Sequence, residues 1–292
     1  LILHNKNNHS FENHNGIMQD IKIAAFAVVV LTGTLFTFSC SDSKQTHDGM
    51  TLESYSYDGI ACLNLDSAYA DSDPVYLRAT GRGVMPVSIG DADITFLRDS
   101  LQVIAGVDLT HEDKVLLRRT QEYSPVEVVD TLTVTADSFE ENELSVVLIT
   151  PRVIVWRSFS AGYTAGAAHG RYGTTYLNYS IDDNKVLDIS DLILPGASKE
   201  LEDLVRAQLK NNRELLVPLD QIYVPTNFEI TIDGLNFVYG IYEIAPYAAG
   251  EIVVNLDYYV LADLLRPEIL EMLTGRDEKG DASRPKPATT PL

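Results

Sequence analysis

The chain has 292 residues, and 45% of them are hydrophobic, which is enough to bury a core and excludes global disorder. It carries 22 lysines and arginines against 42 aspartates and glutamates, a formal net charge of −20 that argues against nucleic acid and anionic lipid headgroups as partners. The chain has two cysteines, Cys40 and Cys62. If Cys40 is modified, Cys62 has no cysteine partner, which excludes a disulfide framework and a cysteine-based zinc site.

An apolar segment immediately precedes Cys40. Residues 23–38 carry no charge, follow Lys22, and are fewer than the roughly 20 residues that a membrane-spanning helix needs. A short apolar core with a basic flank and a small residue, Ser39, before the cysteine is typical of a lipoprotein signal peptide. We therefore predict that Cys40 is acylated and becomes the first mature residue. The alternative is an uncleaved N-terminal anchor helix.

The leader also defines the segments around it. Residues 1–17 are polar and do not begin with methionine, so we interpret them as a non-native upstream extension, with residues 18–39 as the signal peptide. Residues 40–49 are predicted to be a polar tether that holds a folded domain away from the membrane. This arrangement predicts a lipid-anchored protein of the cell envelope, in the outer membrane and facing either the periplasm or the exterior.

Residues 50–160 are predicted to form an N-terminal α+β domain. Four aliphatic side chains between residues 94 and 104 fall on one face of a helix, which Gly106 would end. Thr110 resembles the start of a capping box for a second short helix. Strand-like composition marks residues 56–69, 74–80, 128–136, 144–150 and 152–163.

Residues 161–273 are predicted to form a second unit. Ser198 is expected to cap a helix, and Asp233-Gly234 is a strong signal for the turn of a β-hairpin. The other predicted elements are strands at 174–181, 227–232, 235–241 and 251–256 and helices at 258–265 and 267–273. Residues 274–292 are charged and rich in proline, so we expect a disordered tail. Together these elements predict an α+β fold of two small antiparallel-sheet subdomains with short flanking helices.

Few side chains in the predicted mature domains suit catalysis or metal binding. After the leader and the tether, His111 and His169 are the only histidines, and nothing in the sequence places them together, so no metal site is predicted. His169 lies in a loop of glycine and alanine, where it has either a structural role or a role in binding. Glu243 lies between Tyr242 and Ile244 in a predicted strand, either exposed or buried with hydrogen-bond partners. We predict no catalytic residue and no cofactor.

Tyrosine is concentrated in the second unit, where ten of the fifteen tyrosines lie after residue 160. Tyrosine offers rigid amphipathic area that stacks on sugars or anchors a protein interface. Many of these rings must fill strand faces, but several on one exposed face would indicate a glycan or protein site. The ten are Tyr163, Tyr172, Tyr176, Tyr179, Tyr223, Tyr239, Tyr242, Tyr247, Tyr258 and Tyr259.

Three segments of the second unit resemble a known domain. Residues 233–250 read DGLNFVYGIYEIAPYAAG, residues 165–170 read AGAAHG, and residues 179–192 read YSIDDNKVLDISDL. Together they resemble the RsiV-type extracellular domain of unknown function. That domain occurs in the anti-sigma-V factor, in peptidoglycan deacetylases of the PdaC type and in many Bacteroidetes lipoproteins. Residues 50–160 resemble its usual N-terminal companion more weakly.

The resemblance implies a role outside the cytoplasm. In the anti-sigma factor the domain senses lysozyme, and in the deacetylases a separate domain does the chemistry. The resemblance and the acidic charge together imply a non-catalytic module that binds a lysozyme-like cationic protein or a cell-wall glycan such as peptidoglycan. The candidate binding residues are His169, Tyr242, Glu243 and Tyr247. The alternatives are a cell-wall hydrolase or deacetylase that uses His169 and Glu243, and a structural lipoprotein without a ligand.

Overall fold

The computed structural model describes residues 44–47, 49–63, 75–107, 126–129 and 137–274. Within these residues the strands are β1 (Lys44–His47), β2 (Met50–Leu63), β3 (Val75–Ile89), β4 (Val126–Val129), β5 (Ser138–Ile149), β6 (Val153–Tyr163), β7 (Arg171–Ser180), β8 (Lys185–Val186), β9 (Phe228–Ile230), β10 (Gly234–Tyr239) and β11 (Ile252–Asp257). The helices are α1 (Thr95–Ala105), α2 (Ile189–Leu192), α3 (Ser198–Leu209), α4 (Tyr258–Leu261) and α5 (Pro267–Thr274), with 3-10 helices at Leu219–Gln221 and Tyr247–Ala249. The fold is α+β, as the sequence predicts.

Eight strands form one large sheet, in the order β1-β2-β3-β5-β6-β7-β8, with β4 beside β2. Neighbouring strands are antiparallel except β3 and β5, which are parallel. The sequence predicts antiparallel pairing only. The parallel pair arises because the chain crosses over between these strands through α1 and β4, and parallel neighbours require a long crossover of this kind.

Helix α1 has the apolar face that the sequence predicts. Ile94 and Leu101 are buried in a hydrophobic core between this helix and the large sheet. Gly106 ends the helix in the left-handed conformation, with φ at 61°, and the N–H of Val107 donates to the carbonyl of Gln102 at 3.0 Å. This is the capping arrangement that favours glycine directly after a helix, so the predicted helix end is confirmed.

Three strands form a small sheet in the order β11-β10-β9. The predicted turn at Asp233-Gly234 joins β9 to β10 as an antiparallel hairpin and is confirmed. Strand β10 ends at Tyr239, two residues earlier than predicted, because the chain makes a tight turn over residues 240–243. The prediction that Glu243 lies in a strand is therefore wrong.

Two predicted helix boundaries in the second unit also differ from the structure. Helix α3 begins at Ser198, but the backbone is already helical at the N-cap residue Ala197, so no side chain caps the helix and the predicted Ser198 cap is wrong. Helix α4 ends at Leu261 rather than at residue 265, because Leu265 forms a β-bridge with Ile193. Tertiary pairing here replaces a turn of helix that the local pattern favours.

Strands β6 and β7 lie between two hydrophobic cores. The first core lies under α1 and includes Ile154 and Trp156 of β6. The second core joins Val153 and Val155 of the same strand to the small sheet, α3, α4 and α5. Successive residues of a strand point to opposite faces, so this half of β6 is buried on both sides.

Asparagine side chains join the small sheet to the large one. Asn178 of β7 donates through Nδ2 to the carbonyl of Phe228 and accepts at Oδ1 from the N–H of Ile230, at 2.8 and 2.9 Å. Asn227 bonds the backbone of β7 in the same way, at 3.0 and 2.7 Å. These amides satisfy backbone groups on both strands, so β9 is held against β7 although the two strands belong to different sheets.

Several expectations concern residues outside the described ranges. They are the upstream extension, the signal peptide, Cys40, the second helix near residue 110, His111 and the tail beyond residue 274. Residues 44–47, expected within the tether, form β1, and the expected domain boundary after residue 160 falls inside β6. None of the helices that the structure describes is long and apolar enough to span a membrane.

Candidate functional site

Aromatic side chains from three separate segments meet beside the loop between β6 and β7. His169 lies in that loop, Tyr242 in the turn after β10, and Tyr247 in the 3-10 helix that follows. The His169 ring stacks on the Tyr247 ring, with centroids 4.0 Å apart, and the Tyr242 ring lies 5.8 Å from His169 and 5.7 Å from Tyr247. Tyr172 of β7 meets Tyr247 edge-on at 6.0 Å. We call His169, Tyr172, Tyr242 and Tyr247 the aromatic cluster.

The cluster is open to solvent on one side. Tyr242 is 56% exposed and His169 is also exposed, whereas Tyr172 and Tyr247 are partly buried beneath them. Exposed aromatic rings arranged over partly buried ones leave ring faces and hydroxyl groups accessible together. That combination suits a ligand with both an apolar face and polar edges.

Hydrogen bonds fix the orientation of the two exposed members. Nδ1 of His169 lies 2.8 Å from the carbonyl oxygen of Gly170, which can only accept, so Nδ1–H is the donor. Nε2 of the neutral ring is then an acceptor, and the hydroxyl of Tyr242, 3.1 Å away, donates to it. The hydroxyl oxygen of Tyr242 keeps a lone pair for an incoming donor.

Tyr242 has a backbone conformation that tyrosine rarely adopts. Its φ is 65°, within a turn that the N–H of Glu243 closes by donating to the carbonyl of Gly240 at 3.1 Å. A left-handed conformation costs a residue with a Cβ about 1–2 kcal/mol. The other non-glycine residue with positive φ in the described ranges is Asn184, a residue type that tolerates this region. The backbone at Tyr242 therefore carries strain that a glycine at this position would not.

Glu243 holds the turn that carries Tyr242. One carboxylate oxygen accepts from the hydroxyl of Tyr223 at 2.5 Å, and the other accepts from the N–H of Gly240 at 2.7 Å. The hydrogen bond to Glu243 raises the pKa of Tyr223, with burial adding to the rise, so this hydroxyl stays protonated as a donor. No hydrogen bond between Glu243 and His169 is present among the described residues. The two residues lie in one region but do not form a pair.

The segment just before β11 lies against β7 and positions Tyr172. Gly250 has φ of 73°, and a Cβ there would lie 2.9 Å from the hydroxyl oxygen of Tyr172. The next residue, Glu251, accepts from the N–H and the hydroxyl of Thr174 at 2.7 and 2.8 Å. Burial raises the pKa of Tyr172, and the neighbouring Tyr247 and Glu251 add to the rise. The phenol is therefore neutral over the physiological range.

Three residues that support this site carry no distinguishing signal of their own in the sequence. Tyr172 and Tyr223 are two of the ten tyrosines after residue 160, and Glu251 is one acid in a predicted strand. No local spacing distinguishes them, because each acts through a contact with a distant segment. The repeated tyrosine, glycine and glutamate of residues 239–251 draw attention to Glu251 but not to Tyr172 or Tyr223, which lie outside that segment.

The arrangement provides surfaces for binding more clearly than groups for chemistry. The nitrogens of His169 and the oxygens of Glu243 already have partners within the site. Within the residues that the structure describes, no group of three or more histidine, cysteine, aspartate or glutamate side chains could hold a metal ion.

Comparisons with known proteins agree on one family. Residues 190–259 match the family described as "Protein of unknown function (DUF3298)". A crystal structure of a DUF3298 family member from Bacteroides fragilis NCTC 9343 is similar at 23% identity with a TM-score of 0.55, covering 77% of this chain and 99% of that one. A DUF3298 family protein from Pseudomonas aeruginosa PAO1 is similar at 18% identity with a TM-score of 0.51, covering 77% and 98%. No curated protein matches.

The matched segment includes Tyr242, Glu243 and Tyr247 but neither His169 nor Tyr172. At these identities the two solved structures establish a shared fold. The family match thus covers the part of the chain that carries the turn at residues 240–243.

The strain at Tyr242 can be tested without reference to a ligand. Tyr242→Gly and Tyr242→Ala both remove the ring, but only glycine relieves the left-handed backbone. We expect Tyr242→Gly to have the higher free energy of unfolding, by about 1 kcal/mol, measured by urea denaturation. The order should reverse at Tyr259, which is 92% exposed in α4, where glycine is the poorer helix former. If alanine were the more stable residue at position 242, the turn would not be strained.

Proposed function

We propose that this protein is a lipid-anchored envelope module that binds a cell-wall glycan through the aromatic cluster and does not itself cleave it. The observation that carries the proposal is the pair of exposed rings, His169 and Tyr242. A hydrogen bond joins the Tyr242 hydroxyl to Nε2 of His169, and the His169 ring stacks on Tyr247. Sugar rings have apolar faces that stack on aromatic rings and hydroxyl edges that hydrogen-bond to phenols and carboxylates. The RsiV-type resemblance is consistent with such a role at the cell wall.

Pre-organisation supports binding at this site. The orientation of Tyr242 is fixed by the turn that Glu243 closes, and His169 is fixed by Gly170. A ligand therefore meets rings that are already placed, and little side-chain entropy is lost when it binds. A hydrolase or deacetylase centred on His169 and Glu243 has less support, because their polar atoms are engaged within the site.

A cationic, lysozyme-like protein is the second candidate ligand. The formal net charge of −20 favours a basic partner, and the family resemblance points in the same direction. The two candidates differ in salt dependence. Attraction between exposed charges weakens as ionic strength rises, whereas stacking on aromatic rings does not depend on screening.

Glycan binding can be measured by titration calorimetry with β-1,4-linked N-acetylglucosamine oligomers as probes. We expect Tyr242→Ala and Tyr247→Ala each to weaken binding by about tenfold, because each removes a stacking surface. Phe96→Ala is the control, since Phe96 is 67% exposed on α1, and it should leave the affinity unchanged. Absence of sugar binding by the folded protein would refute the glycan proposal. Lysozyme binding that falls steeply with salt and survives both tyrosine changes would support the second candidate.

The anchor is proposed from the apolar run before Cys40. Acylation of Cys40 would hold the module at a membrane surface, within reach of the cell wall. We expect cells that express the protein to incorporate radiolabelled palmitate into it, and Cys40→Ala to abolish the label. Cys62→Ala, in β2, is the matched control and should retain the label. Labelling that persists in Cys40→Ala would contradict the anchor.

A further inference from the structure

A second group of aromatic residues lies on the sheet face that carries Tyr172. Cross-strand pairing places Tyr172 of β7 opposite Ala161 of β6, and Ala161 opposite Glu141 of β5. Phe139 of β5 is paired directly with Tyr163 of β6. Residues two apart along a strand share a face, so all five side chains are on the same side of the sheet.

This face is open at the end nearest the aromatic cluster. Phe139 is 43% exposed, Glu141 is exposed and Tyr163 is partly buried. The alternate residues Glu140 and Asn142 are buried on the opposite face. A strand with this alternation presents one face to the interior and the other to solvent.

The two groups of aromatic residues are continuous. Tyr163 is two residues from Ala161, so it is a diagonal neighbour of Tyr172, at a distance of roughly 7–8 Å between Cα atoms. Tyr172 in turn contacts Tyr247 at 6.0 Å. The small side chain of Ala161 leaves a shallow depression between its larger neighbours on the sheet. Aromatic residues therefore extend from Tyr242 across β7 and β6 to Phe139.

Two arginines beside this row are paired with carboxylates. The Arg78 guanidinium donates to both carboxylate oxygens of Asp58 at 3.0 and 2.7 Å, and Arg82 donates to Glu143 at 2.7 Å. Neither arginine is an isolated positive charge that would attract an acidic polymer. Together with the overall charge of −20, the exposed Glu141 favours a neutral or amino-bearing ligand over an acidic one.

We propose that the row formed by Tyr172, Ala161, Glu141, Tyr163 and Phe139 extends the glycan site, so that the protein binds a linear oligosaccharide of several units. This inference rests on the proposed function and adds the length and the charge class of its ligand. The aromatic cluster binds one end of the oligosaccharide, and the row on the sheet binds the units that follow. The carboxylate of Glu141 accepts hydrogen bonds from hydroxyl or amino groups between the two ends.

The test compares the full-length protein's affinities for the disaccharide and the hexasaccharide of β-1,4-linked N-acetylglucosamine. We expect the hexasaccharide to bind at least about tenfold more tightly, because it reaches additional aromatic surface. Phe139→Ala and Tyr163→Ala should each lower hexasaccharide affinity by about fivefold and leave disaccharide affinity unchanged. The conservative Phe139→Tyr should keep wild-type affinity for both, and thermal unfolding shows that each variant is folded.

The outcomes separate this inference from the proposal on which it rests. Equal affinities for the two sugars, both reduced by Tyr242→Ala, would overturn the extended site and leave the glycan function standing. Failure of both sugars to bind would overturn the two together. Tighter hexasaccharide binding that Phe139→Ala and Tyr163→Ala leave unchanged would also overturn the extension, because the added contacts would then lie elsewhere.

Discussion

The antiparallel ladder between β6 and β7 is the constraint on which the rest of the structure depends. In its first half, Val153–Trp156 of β6 pairs with residues 177–180 of β7, and both segments are buried. One face meets the core under α1, and the other meets the core of the small sheet. A strand pair covered on both faces is as inaccessible to water as the centre of a parallel sheet, so its position and register are strongly fixed.

The second half of the same ladder is covered less completely and carries the site. Its strands separate at the loop that bears His169, and β7 begins there with Tyr172. Asn178 and Asn227 fix the small sheet against β7, which brings Tyr242 and Tyr247 to the same place. The aromatic cluster is therefore assembled from distant segments by contacts that lie mostly inside the protein. A rigid interior supporting an open surface is the arrangement expected of a pre-organised binding site.

Local patterns in the sequence predicted a large part of this arrangement. The apolar spacing from Ile94, the glycine after α1 and the Asp233-Gly234 turn each determine a local conformation, and each prediction is confirmed. Residue type and resemblance predict His169, Tyr242 and Tyr247 as binding residues, and the structure brings their rings together. Their role in binding stays a prediction.

Other features depend on partners that local patterns cannot identify. The apolar run through residues 235–241 favours a strand, but Glu243 accepts the N–H of Gly240 and turns the chain early. The left-handed conformation of Tyr242 has no signal in the sequence, because tyrosine does not favour it. Nothing in the local sequence marks Asn178 as a bridge, yet it is buried and joins the two sheets. The parallel pairing of β3 with β5 likewise follows from the crossover rather than from either strand.

A crystal structure of the protein with the N-acetylglucosamine hexasaccharide tests the central claim most directly, since that claim is a preformed aromatic site. The account predicts a sugar ring stacked on the cluster, further units along the row towards Phe139, and backbone shifts within about 1 Å at His169 and Tyr242. A hexasaccharide bound at another surface would contradict the account. So would a cluster whose rings separate, or whose turn at Tyr242 refolds, to admit the sugar.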